Sequence, residues 1–248
     1  SMVARHPALV GHFSQNYRSW DMDYPDTLRA AAFIKELVEF EKNGQMPSFL
    51  ILRVINDHTY GTSPGKLSPR AMVADNDLAL GRIVEAVSKS RFWPETAIFV
   101  LEDDAQNGPD HVDAHRSPAL VISPYVRRGH VDHTLYDTVS MLRTMEMILG
   151  VHPLSQYDAA AFPMVTCFTD KPDFKPYTSL RPKVSMSERN TATSWGADAS
   201  LRMDFSREDA TPEFELNEIV WKSVKGADSE MPMPIFRRSM AGDDDDDD

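Results

Sequence analysis

One cysteine in 248 residues, Cys167, leaves no intramolecular disulfide to consider. A chain of this length can bury one substantial core or two small ones without a covalent staple, so the thiol reads as a buried structural group. Long apolar runs are also missing: none approaches the roughly 18 residues of a membrane-spanning helix. Ser1 to Asn16 lacks the continuous apolar stretch of a secretory leader. The opening Ser-Met reads as a tag scar ahead of an internal start, a reading under which a native leader was removed. Lysine and arginine form no cluster beyond pairs such as Arg127-Arg128 and Arg237-Arg238, which argues against nucleic acid as a partner. The formal net charge is −12, and six of those charges sit in Asp243 to Asp248, leaving −6 for the rest. Six adjacent carboxylates repel one another, so a disordered, dispensable tail is expected there. No internal repeat is present.

What the chain does have is a concentration of ligand chemistry in Glu102–Pro118, which holds Asp103, Asp104, Asp110, His111, Asp113 and His115. An apolar run, Ala97 to Leu101, precedes it and another, Ala119 to Ile122, follows. Carboxylates and imidazoles at the end of a buried strand suit a divalent cation, and oxygen and nitrogen ligands suit zinc or manganese, as one ion or two. A second set, Asn56-Asp57-His58-Thr59, ends the run Phe49 to Ile55, which reads as another buried strand. In open α/β sheets ligands collect beyond the carboxyl ends of parallel strands, so the two strand ends are expected to share a crevice.

Around these strands the pattern is helical. Asp23 to Asn43 carries Leu28, Ala31, Ile34, Leu37 and Val38 at helical spacing, and Asn43-Gly44 supplies a stop. Ser68-Pro69 caps a second helix to about Ser90, with Met72, Leu80, Ile83, Val84 and Val87 as its apolar face. A third runs from Asp137 to Leu149, with Val139, Leu142, Met145, Met147 and Leu149 apolar and Gly150 at its end. The alternation of strands and helices predicts an α/β fold with a largely parallel sheet. After Phe168, prolines at 172, 176, 182, 212, 232 and 234 punctuate a polar stretch in which Phe214 to Val224 is the one amphipathic candidate.

The clusters at 56–59 and 102–118, with Arg70 to Asp77 and Ala119 to Tyr125, resemble the phosphoesterase branch of the alkaline phosphatase superfamily. That branch includes bacterial phospholipases C and some acid phosphatases, and the similarity runs from about Leu37 to Met164. It is greatest to bacterial proteins that carry a β-propeller ahead of such a domain. The resemblance implies an α/β/α sandwich, alkaline phosphatase-like, with a site for one or two metals. Carried over, Asp57 and His115 are ligands of one metal, Asp103 and Asp104 of the other, and His58 and His111 lie in or next to the coordination shell. The family's Asp-x-x-x-His spacing is broken here, because position 61 is Gly. Nothing in residues 1–47 matches the family's nucleophile-bearing segment, so the chain resembles a domain lacking its N-terminal portion. Residues 1–168 are then the C-terminal part of that domain, 169–242 a Pro-rich extension wrapping the core, and 243–248 the acidic tail.

The implied chemistry is phosphate-ester hydrolysis of a phosphorylated small molecule or phospholipid head group, as a monoesterase or diesterase, in a periplasmic or secreted protein with a possible upstream domain. Thr59 is the one hydroxyl inside a ligand cluster and hence the nucleophile candidate, although a loop-capping role fits it better. With the nucleophile segment unmatched, poor hydrolysis by this chain alone is the expectation. Two rival readings are a non-catalytic, metal-holding remnant that binds an anionic ligand or partner domain, and a phosphate-transferring mutase with the same metal set.

Overall fold

The computed structural model describes residue 4 and residues 6–237; the acidic tail lies outside the described residues. The chain forms two compact units. The first comprises residues 1–60, 67–100 and 120–189, and the second residues 61–66, 101–119 and 190–248.

The first unit is built on two long helices, α1 (Asp26–Asn43) and α2 (Pro69–Lys89). Pro69 starts α2 because its missing N–H costs nothing in a first turn, and the Ser68 hydroxyl accepts from Ala71 N–H as the cap. Gly44, at φ 72°, ends α1 in the left-handed conformation that a side chain resists. Ala30, Phe33 and Leu37 of α1 meet Ala79, Ile83 and Val87 of α2, and Trp93 closes the cluster. The α1 stripe is thus rotated from the expected one: Leu28 and Val38 are exposed, because α1 turns its Ala30–Phe33–Leu37 edge toward α2.

Two strands follow, β1 (Ile98–Leu101) and β2 (Ala119–Ile122), paired antiparallel. The α/β class therefore holds, but the expected mostly parallel sheet and α/β/α sandwich are not what the described residues form. A parallel pair needs a crossover, usually helical; β1 and β2 are joined by the helix-free segment 102–118, which brings the chain straight back. The expected strand at 48–55 is also corrected. Phe49–Ile55 is extended but pairs with no strand among the described residues, and Ile51 is 82% exposed. Its last amides go elsewhere: Ile55 N–H donates to Asp26 Oδ1 and Asn56 N–H to Asp26 Oδ2. Leu52 and Val54 nevertheless pack on the α1–α2 core, as do Ile98 and Ile122.

Helix α3 (Thr138–Leu149) is capped by Asp137 in a reciprocal box with Ser140 and ends at Gly150. It buries Ser140, Met141, Thr144 and Glu146 and leaves Met147 and Leu149 exposed, against the apolar face expected. Thr144 donates to Ser140 O and accepts from Met164 N–H, whereas Glu146 meets Arg143 through Oε2 and keeps Oε1 buried without a hydrogen-bond partner. A short α4 (Gln156–Ala160) follows. Residues 171–189 lie along α2, where Tyr177 N–H donates to Ser88 Oγ and Ser179 donates through N–H and hydroxyl to Glu85. Cys167 is half-buried with Sγ 3.8 Å from Asp132 Oδ2, and burial, with that carboxylate, pushes the thiol pKa up and keeps it protonated.

The second unit contains α5 (Ala197–Ser200), α6 (Glu213–Lys225) and the 102–118 loop. Thr62 ties residues 61–66 to α5 and the residues before it: its hydroxyl donates to Trp195 O and its N–H donates to Ser200 Oγ. Asn190 ties residues 61–66 in place by donating to Gly61 O and Ser63 O. Gly196, at φ 75°, is required: a Cβ there would stand 2.6 Å from Ile219 Cγ1. No helix among the described residues is long and apolar enough to cross a membrane.

Candidate functional site

The candidate segment of unit one is organised by a buried polar node. Asp26, Arg29, Asn56 and Asp75 are all nearly or fully buried. Each Asp26 oxygen accepts two hydrogen bonds: Oδ1 from Arg29 and Ile55 N–H, Oδ2 from Asn56 N–H and Asn76 Nδ2. Asp75 accepts from Asp26 N–H at 2.5 Å, Asn56 Nδ2 and Thr27 Oγ1. Arg29 spends its remaining N–H groups on the carbonyls of Arg18, Ser19, Asp21 and Tyr24. A buried charge is tolerable when it is paired and saturated in this way. The node fastens the chain just before Asp57 to the N-terminal end of α1 and to α2, so it sets the starting point of the Asp57-His58-Thr59 turn.

Asp57 is then left in a poor environment for a charge. Its Oδ1 is buried and meets no hydrogen-bond partner, and Asn56 Oδ1 is in the same condition. Burial pushes the Asp57 carboxyl above the usual carboxylate range; His58 acts against this, and the negative Asp26 adds to it. His58 lies edge-on to Trp20, with ring centroids 4.8 Å apart, and its N–H closes a turn on Ile55 O. Thr59 is buried.

The candidate segment of unit two is the 102–118 loop. Its hub is Asp110, which accepts from Val112 N–H, Asp113 N–H and two nitrogens of Arg116. Those donors, Val112 N–H first and Arg116 next, pull its pKa down to about 2. Asp113 accepts from His115 N–H and sits 2.8 Å from His115 Nδ1, and its pKa falls for the same reasons. Held through Nδ1, His115 has Nε2 as the nitrogen available to a ligand, the arrangement in which a carboxylate orients a metal-binding imidazole. Its ring also leans on Phe236 at 5.4 Å. Asp103, Asp104 and His111 are exposed, and Asp104 Oδ1 caps Gln106 N–H.

The structure therefore sets Asp57 and His58 side by side in one unit, and Asp113 with His115 in the other. Among the described residues, no three His, Cys, Asp or Glu side chains gather closely enough to hold a metal ion. Residue patterns had not singled out Asp26, Asp75 or Asn56 as a node, nor Asp110 and Asp113 as the loop's organisers. A signal for the loop was present in Asp110-His111-Val112-Asp113, since an Asp side chain that caps the amides two and three residues on is a common turn device. No such signal marks the node, whose members are 49 residues apart at Asp26 and Asp75.

A family model, described as the Phosphoesterase family, matches residues 9–152, more than half of the chain. The chain belongs to that family, which is one of hydrolases of phosphoric esters acting on phosphorylated substrates. No curated protein and no solved structure matches it.

Proposed function

We propose that this chain is a cation-holding phosphate-ester hydrolase of the alkaline phosphatase type, with zinc or manganese as its metal and a phosphorylated small molecule or phospholipid head group as substrate. The observation that carries the reading is the orphaned, buried Oδ1 of Asp57. An unpartnered carboxylate oxygen out of water is costly, and a cation is the partner that would satisfy it. Asn56 Oδ1, also buried without a hydrogen-bond partner, is a second candidate oxygen donor. In unit one, Asp57 and His58 would hold metal; in unit two, Asp103, Asp104, His111 and His115 would, with Asp113 orienting His115. Bound metal supplies charge neutralisation for the attacking and leaving oxygens of an in-line displacement. The protein's own part is to keep Asp57 dry, to fix its turn through Asp26, and to aim His115 through Asp113. Thr59 is the hydroxyl to be tested as nucleophile.

The test is turnover of an aryl phosphate and an aryl phosphodiester by chelator-treated protein, with zinc or manganese restored, for wild type, Asp57→Asn and Thr59→Ala. Metal-restored turnover that falls at least about tenfold in Asp57→Asn is expected. Turnover indifferent to chelator and to Asp57→Asn would sink the reading. Metal uptake without turnover would instead support the non-catalytic holder of an anionic ligand.

A further inference from the structure

Unit two contains a cavity of about 400 Å³, within the range of small-ligand sites. Ile219, fully buried, is among its lining residues, and the close approach of Gly196 to that side chain brings the 192–199 backbone down onto α6. Trp195 forms one wall. Around it stand three carboxylates, Asp198, Glu215 and Glu218, against two cations, Arg202 in the lining and Lys222 beside Trp195 and Glu218.

The wall already carries an ammonium group. Lys222 Nζ lies 4.4 Å from the centroid of the Trp195 ring and 3.3 Å from Glu218 Oε1. An indole face with a carboxylate beside it is the pairing that attracts ammonium groups, and here the protein's own lysine occupies one such position. Asp198 and Glu215 are exposed, so the remaining negative charge of the lining is open to a ligand. The carboxylates outnumber the cations here, so an organic cation gains from both the ring and the exposed carboxylates, more than a neutral or anionic ligand does.

We propose that this cavity binds an organic ammonium group, seated against the Trp195 indole and the Asp198, Glu215 and Glu218 carboxylates. The inference is independent of the phosphoesterase reading, because every residue it uses lies in 193–222.

The experiment is calorimetric titration of the full chain with tetramethylammonium, and with tert-butanol as the neutral molecule of the same shape. Saturable binding of the cation is expected, with the alcohol bound at least about tenfold more weakly. Trp195→Leu is expected to weaken cation binding about tenfold, and Glu215→Gln, at an exposed position that leaves the fold intact, to weaken it severalfold. Lys222→Met is expected to strengthen it, because the internal ammonium no longer shares the ring and Glu218 is released. Absence of saturable binding, equal affinity for the alcohol, or weaker binding in Lys222→Met would each overturn the proposal.

Discussion

At the scale of single residues, the behaviour of Asp57 follows from burial. The folded chain holds its proton more tightly than the unfolded chain does, because burial disfavours the charge more than His58 favours it. Stability from this group is therefore greatest in acid and falls as pH rises from about 4 through the raised folded value. Metal-free Asp57→Asn should accordingly melt higher than wild type at pH 7, and the difference should shrink toward pH 4. Thermal unfolding at both values, in chelator, measures this; an Asn variant that melts lower at pH 7 would mean the carboxylate is satisfied after all. Asp110 has the opposite sign. Its lowered folded pKa of about 2 means that its contribution is present above about pH 4 and is lost as pH falls through about 2. The amides of Val112 and Asp113 should stay protected from hydrogen exchange at pH 4, and Asp110→Asn should expose them at neutral pH.

At the scale of elements, α1 and the 55–59 turn are joined by one saturated ion pair. Arg29→Met would leave Asp26 buried without its cation and four carbonyls without their donor. Breaking a buried pair in this way costs about 3–5 kcal/mol, which denaturant unfolding would read directly; a loss below about 1 kcal/mol would show the node to be incidental. Helix α3 offers a smaller and cleaner change. Asp137→Ala removes the cap that accepts from Ser140 N–H and should cost about 0.5–2 kcal/mol without altering cation binding in unit two. Gly196→Ala belongs to the same scale: positive φ and a 2.6 Å approach to Ile219 both oppose a methyl group, so unit two should lose stability and its cavity together.

At the scale of the whole molecule, family membership over residues 9–152 spans both candidate segments, 56–59 and 102–118, and phosphate-ester chemistry is the activity that the assay above tests. Much of this was legible in the chain itself. Caps and stops are local, so Ser68-Pro69, Asp137 and the glycines at 44 and 150 announced α1, α2 and α3 within a few residues. The apolar runs at 97–101 and 119–122 likewise announced β1 and β2, although β1 is only half-buried and Ala119 and Leu120 of β2 are exposed. Strand pairing is different, since it depends on what lies alongside. Phe49–Ile55 has the composition of a strand but finds no ladder among the described residues, and its end is claimed by Asp26 instead. Nor could local periodicity reveal that α3 buries Thr144, whose hydroxyl accepts from the distant Met164 N–H. The amino-acid order by itself determined which residue types could ligate a cation and which segments were helical. Only the tertiary structure decided that Asp57 Oδ1 was buried without a hydrogen-bond partner and that Trp195 met Lys222, because each depends on desolvation or contact created by chain folding.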